Sequence, residues 1–248
     1  MNTLDLTIFS SISLSEMDKV RLMRRIDTKY VFHVSILSQL LKEAAKHYQI
    51  LDIDKKRQAS YETLYFDTPL FTDYHMHHNG KLNRKKIRQR KYIDSRLCFL
   101  ELKYKTNKGR TEKSRIAIKD FTDTLEHFDT FFQKHHISDL SNYQPALKNT
   151  FKRITLVDTK HPQRITIDTE LIVKKPYDKT GKELSGLVVA EIKQDAKSQS
   201  IFAELLKQYR IYPAGFSKYA IGISLLYDTV KYNRFKSKLL YLQKITQP

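Results

Sequence analysis

The chain has 248 residues, 40% of them hydrophobic, which is enough for a sizeable core and excludes a disordered chain. Forty-five Lys and Arg against 27 Asp and Glu leave a formal charge of +18, which points to a polyanionic partner: nucleic acid, a phosphorylated ligand or an anionic membrane. The single cysteine, Cys98, excludes an internal disulfide or cysteine metal site, and no apolar run approaches the roughly 20 residues of a membrane span.

The amino terminus "MNTLDLTIFSSISL" lacks the basic start and cleavage site of a signal peptide, so a soluble cytoplasmic protein is expected. In chain order, apolar periodicity predicts a strand at 25–34, a helix at 35–48 with Ser35 as its N-cap, a strand at 61–66 and a helix at 69–77. Three strands follow at 84–92, 97–105 and 113–119, then helices at 121–134 and 143–150. Strands at 151–158, 164–171 and 187–193 and helices at 199–209 and 217–232 complete the α+β pattern.

Eight strands suffice to close a barrel. His75, His77 and His78 fall in a predicted helix that points them in different directions, which suits solvated or capping roles better than a metal site. With six Gly, six Pro, no linker-like stretch and no repeat, a single domain over 1–248 is expected, its core at about 20–230 and a basic helix at 231–248.

Residues two apart in a strand share a face. Arg84, Lys86, Arg88, Arg90 and Tyr92 make one row, and Phe99, Glu101, Lys103 and Lys105 another, opposite Cys98, Leu100, Leu102 and Tyr104. Parity also separates Arg25, Asp27 and Lys29 from Ile26, Tyr30 and Phe32, and Lys113 and Arg115 from Ile116 and Ile118. Arg153 opposes Ile154 and Leu156; Arg164, Asp168 and Glu170 oppose Ile165, Ile167 and Leu171; Glu191 and Lys193 oppose Val188, Ala190 and Ile192.

Such rows either face water on an ordinary antiparallel sheet or line a basic lumen. A lumen of that kind needs a polyanion or counterions to offset its self-repulsion. Arg supplies bidentate contacts to phosphate oxygens and Lys a movable point charge. Few aromatics beyond Tyr92 and Phe99 share the basic parity, so stacking of nucleic-acid bases is not favoured.

The ordered segments "RRIDTKYVF", "YETLYFDTP", "KIRQRKY", "FLELKYK", "EKSRIAI", "FKRITL", "RITIDTEL", "VVAEIK" and "FSKYAIG" resemble the VTC domain, the polyphosphate polymerase branch of the triphosphate tunnel metalloenzymes. The resemblance implies an eight-stranded antiparallel β-barrel tunnel with a basic lumen, surrounded by helices, that binds ATP and inorganic polyphosphate with Mn²⁺ or Mg²⁺. By position it assigns phosphate binding to Lys29, Arg88, Arg90, Lys103, Lys113, Arg115, Arg153, Arg164 and Lys218, and metal binding to Glu191. Lys193 and Ser217 are plausible further phosphate ligands, the latter through its hydroxyl or a helix N-terminus.

Hydrolytic tunnel enzymes resemble ExExK on the first strand, whereas this chain reads Arg25-Ile26-Asp27-Thr28-Lys29. The difference favours the VTC branch and leaves Glu191 as the strongest metal candidate, ahead of Glu101, Asp168, Glu170 and Glu62. The expected reaction is phosphoryl transfer from ATP to a polyphosphate chain, with Arg88, Arg90, Lys103 and Glu191 at its centre. A tunnel triphosphatase and a non-catalytic polyphosphate- or RNA-binding module are the alternatives. No obligatory nucleic acid and no transmembrane segment are implied; the "KYNRFKSK" tail suits the solvated side of a helix resting on Leu239, Leu240 and Leu242, or an acidic partner or membrane surface.

Overall fold

The computed structural model describes residues 4–20, 25–108, 110–137, 140–195 and 199–246, the side chain of Arg25 excepted. In chain order its elements are β1 (Ser11–Ile12), α1 (Leu14–Lys19), β2 (Arg25–His33), α2 (Leu37–Ala44), β3 (Gln49–Leu51), β4 (Ala59–Asp67), α3 (Thr72–His78), β5 (Arg84–Tyr92) and β6 (Leu97–Lys105). These are followed by β7 (Thr111–Ile118), α4 (Asp129–Gln133), β8 (Gln144–Asp158), β9 (Gln163–Lys174), β10 (Lys182–Glu183), β11 (Leu187–Asp195), α5 (Ile201–Gln208), α6 (Lys218–Leu226) and α7 (Lys236–Thr246).

Eight strands pair in the order β2-β11-β9-β8-β4-β5-β6-β7, every neighbour antiparallel. Lys29 of β2 and Lys103 of β6, near opposite ends of this strip, line one cleft, so the strip curls into a tunnel-like wall. The ring is not closed: among the described residues β2 and β7 remain its two edges.

The apolar rows face outward under helices. Tyr30, Phe32, Ile154, Leu156, Ile165, Ile167, Val188, Ala190 and Ile192 pack on Leu37, Leu40 and Leu41 of α2 and Phe202 and Leu206 of α5. Each such side chain contributes about 1.5–3 kcal/mol by leaving water. Leu64, Phe66, Ile87, Leu100 and Leu102 of β4 to β6 form a second outer cluster with Leu125 and Phe132. A third cluster lies on the inner face, where Val31, Tyr65, Leu147, Phe151 and Val189 receive Tyr219, Ala220 and Ile223 of α6, filling part of the lumen.

Four expectations are corrected. Residues 143–150, expected as a helix, contribute the first half of the 15-residue strand β8. Their alternation is hidden by Pro145, which sits beside a register shift against β4 where its missing N–H is tolerated.

Leu171 does not join Ile165 and Ile167. A bulge between β8 and β9, with Glu170 at φ 52°, reverses the parity, turning Leu171 and Val173 inward. Ser35 lies within a 3₁₀ turn over Val34–Ile36 whose N-cap is His33, and α2 begins at Leu37, one residue later than a Ser35 cap implies. At the carboxyl end α6 stops at Leu226, and α7 buries Leu242 and Ile245 while Leu240 is 50% exposed.

Candidate functional site

Parity and curl together bring charged residues of seven strands, β2, β5 to β9 and β11, to one interior. Two acids there are each held between two cations. Glu101, almost fully buried on β6, accepts from Arg88 on β5 at 2.7 Å (Nε) and 2.6 Å (Nη2), and from Lys113 on β7 at 2.6 Å. Asp168 on β9 accepts a bidentate pair from Arg153 on β8, at 2.6 and 2.8 Å, and a further bond from Lys218 at the start of α6.

Burial by itself raises both carboxyls, but neighbouring cations outweigh it. Arg88, then Arg90 and Lys113, bring Glu101 down to about 2, and Arg153 and Lys218 hold Asp168 well below the usual carboxylate range. Glu191 on β11 has one contact, to Lys193 at 2.8 Å, and against its burial the Lys193 and Lys29 charges keep it ionised.

The remaining cations are not balanced in this way. Arg90 is 7% exposed, and its guanidinium meets Thr63 Oγ1 at 3.4 Å and the faces of Tyr61 and Phe151 at 5.8 and 5.9 Å. Lys86 donates to Ser217 Oγ at 3.0 Å and Lys29 to the Phe216 carbonyl at 2.9 Å. Among the described residues Arg90, Lys86 and Lys103 form no ion pair with an acid.

Partial loss of water in the cleft, then the Lys29 and Arg88 charges, lowers Lys103 to about 8. Lys86 is lowered by burial and by Lys29 and Lys103.

Sequence reasoning missed the aromatic floor of this interior. Tyr61 and Phe151 stack in parallel at 5.1 Å and carry Arg153 at 5.1 and 5.2 Å, while Lys218 lies 4.3 Å from the Phe151 centroid. Tyr65, also inward, offers its hydroxyl to Arg88 at 3.3 Å. The signal was the odd parity of "YETLY", which shares no charge with the neighbouring rows and so escaped a search for charged rows.

Lys29, Lys86, Arg88, Arg90, Lys103, Lys113, Arg153, Glu191, Lys193, Ser217 and Lys218 are thus gathered on the inner face. Two further assigned phosphate ligands share that face by register, Arg164 opposite Lys193 and Arg115 opposite Glu101, and make other contacts. Arg164, at the far end of β9, donates to the Met17 carbonyl of α1 at 3.2 Å, and the exposed Arg115 lies on the Phe99 ring at 4.7 Å. Ser217 is the N-cap of α6: its hydroxyl accepts from the Ala220 N–H as well as from Lys86.

The lesser metal candidates fall away. Glu62 and Glu170 pair with Lys148 and Lys152 at 2.5 and 2.8 Å, and Glu101 and Asp168 are enclosed by cations. Of the histidines, His78 bonds Asn79 and the Arg234 N–H, and His77 faces the cleft.

Fold and site together define an eight-stranded, tunnel-type protein with a cation-rich inner face. The sequence model of the VTC domain matches residues 24–227, and the chain belongs to the VTC domain family. Membership supports a protein acting on triphosphate-type substrates, and the tunnel fold's members are metal-dependent.

Among solved structures the chain is similar to a candidate adenylate cyclase from Vibrio parahaemolyticus, at 12% identity over 82% of this chain and 99% of the other, TM-score 0.46. It is also similar to a candidate adenylyl cyclase from Hippeastrum with a dominant triphosphatase activity, at 15% identity over 82% and 97%, TM-score 0.47. A candidate adenylate cyclase from Bacillus halodurans shares 15% identity over 79% and 96%, TM-score 0.45. No curated protein matches the chain.

Among the described residues no group of three His, Cys, Asp or Glu converges on a point, and no helix is long and apolar enough to cross a membrane. The donor set therefore does not make a protein-only metal cage. Glu191, with a single cation contact, suits a divalent ion that takes most of its ligands from phosphate oxygens and water.

Proposed function

We propose that this protein is a polyphosphate polymerase that transfers the terminal phosphoryl group of ATP to a growing inorganic polyphosphate chain. The observation that carries the reading is the buried Arg90, which forms no ion pair among the described residues, inside a cluster where Lys29, Lys86, Arg88, Lys103, Lys113, Arg153 and Lys218 outnumber the acids. A buried guanidinium without an anion is costly, and a phosphate chain supplies several anionic oxygens at short spacing.

In this reading Arg88, Arg90, Lys29 and Lys103 bind the triphosphate, and Arg153, Lys218, Lys113 and Lys193 surround its neighbours. A terminal phosphate oxygen of the acceptor chain attacks the γ-phosphorus, the bond from that phosphorus to the β–γ bridging oxygen breaks, and ADP leaves with the electron pair. The attacking oxygen is already anionic and needs no base; the cations' part is to align the two polyanions and offset their repulsion. Glu191 is the residue that would hold a Mn²⁺ or Mg²⁺ ion carried by the nucleotide, and such an ion would supply further charge neutralisation.

Transfer is favoured over hydrolysis because water requires a base or a positioning group: the inner carboxylates Glu101 and Asp168 are occupied by cations, and Glu191 is assigned to the metal in this reading. An RNA-binding role is disfavoured because Tyr61 and Phe151 stack on each other and carry Arg153 and Arg90, leaving no free platform for a base. The test is a phosphorus NMR time course with ATP and Mn²⁺. Internal-phosphate signal growing with ADP supports the polymerase; free phosphate alone makes it a triphosphatase, and an unchanged ATP spectrum leaves a binding module.

A further inference from the structure

Running outward from the triphosphate site, and sharing Lys29 and Lys103 with it, a cleft of about 480 Å³ opens beside β2, an edge of the sheet among the described residues. Its cations are Lys29, Arg84, Lys86, Lys103, Lys105 and Lys238, and Asp27 is the one acid in its lining. Lys29, Lys86 and Lys103 belong to the interior described above. Arg84 and Lys105, paired in register on β5 and β6, and Lys238 on α7 continue the same charge outward.

The cleft's form is specific. Lys238 belongs to the basic tail that the sequence assigns to a solvated helix face, an acidic partner or a membrane surface, yet its ammonium reaches in from α7 to lie against Gly215; a Cβ at that glycine would stand 3.2 Å from Lys238 Nζ. The nine-residue helix α6 starts at the same wall, with Ser217 and Gly215 both in the lining. His77, also in the wall, has a buried Nδ1 without a partner; burial first, then the charges of Lys86, Arg84 and Lys238, lower it to about 2, so it stays neutral among the cations.

We infer that this seam cleft is a second polyanion subsite, continuous with the tunnel through Lys86 and Lys103, that holds the phosphates of a chain beyond the triphosphate unit. The inference rests on the polymerase reading and deepens it. A tripolyphosphate fills the interior alone, whereas a longer chain leaves it sideways past Arg84 and Lys105 and ends its contact at Lys238. The cleft is too densely cationic and too poor in exposed aromatic surface for a nucleobase: its phenylalanines, Phe216 and Phe235, are both 7% exposed.

The test compares affinity for tripolyphosphate and for long-chain polyphosphate in the full chain, the Lys105→Ala/Lys238→Ala double variant, and a Lys160→Ala/Lys179→Ala control that removes equal charge from outside the cleft. The unfolding temperature of each establishes that it is folded. The subsite is supported if the first variant keeps wild-type affinity for tripolyphosphate, loses about tenfold or more for the long chain, and the control does not.

An equal loss in the control, or an unchanged ratio of the two affinities in the first variant, overturns the subsite and leaves the polymerase reading standing. Failure of the wild type to bind either probe overturns the polymerase reading, and the subsite with it.

Discussion

Arg153 and Asp168 sit directly opposite each other on β8 and β9 and are joined by a bidentate pair at 2.6 and 2.8 Å, with Lys218 of α6 closing on the same carboxylate. This contact ties the helix that fills the lumen to the wall, so it serves the fold as well as the site. Asp168→Asn leaves two buried cations without their acid and should cost about 3–5 kcal/mol of stability. Thermal unfolding checks it, and added tripolyphosphate should restore part of the loss by binding the freed cations; an unchanged melting temperature would sink the assignment.

Arg90 forms no ion pair among the described residues, so its replacement separates binding from folding better than that of Arg88 or Arg153. Arg90→Ala should weaken tripolyphosphate binding by about 1.5–3 kcal/mol, the range for a charge-assisted contact, while stability changes little. Titration calorimetry together with a melting curve distinguishes this from general unfolding; undiminished affinity would place the phosphates elsewhere.

Glu191→Gln keeps the shape of the side chain and removes its charge. Metal-dependent turnover of ATP should be lost while ATP binding persists, because the surrounding lysines remain. Unchanged turnover removes Glu191 from the mechanism.

Lys103 in the free protein titrates at about 8, below the ordinary lysine range, because of its cleft and its cationic neighbours. A bound polyanion favours the charged form and raises that value, so binding takes up a proton once the free lysine is neutral. The Lys103 contribution to tripolyphosphate affinity, read as the difference between wild type and Lys103→Ala, should therefore be complete below about pH 7 and fall above about pH 8. Calorimetry at pH about 9 in buffers of different ionisation heat should register proton uptake, and its absence would contradict the crowding of this lysine.

Glu101 at about 2 lies below its unfolded-state value, so its contribution is present above the ordinary glutamate range and lost as the pH falls toward 2. Wild-type stability should drop steeply across that acid range. In Glu101→Gln the drop should be shallower, starting from a lower plateau; parallel curves for the two proteins would show that the Arg88 and Lys113 contacts do not set the acid limit.

The sequence by itself determined seven of the eight wall strands to within a few residues, along with the division of most of them into charged and apolar rows. Period-two alternation is a local property: a strand such as β5 or β6 declares its two faces whatever it packs against. It also determined the family, because nine short segments in fixed order are read without knowing where they meet. The full length of β8 was not legible, since Pro145 and a bulge break the alternation, nor was the reversal at Glu170, which depends on pairing with the neighbouring strand.

Only the tertiary structure decided which cations are balanced. Arg88 and Arg90 are two residues apart on one face and look equivalent in the sequence, yet curvature and register pair Glu101 directly with the first and set the second against Thr63 and two aromatic rings, where the Glu101 charge reaches it without a salt bridge. Tertiary structure likewise decided that Arg164 donates to the Met17 carbonyl, and that Lys238 is brought into the cleft by a helix more than a hundred residues away from the strands it meets. Charge and parity are written residue by residue, whereas ion-pair distance depends on how the sheet curls and which helix fills it.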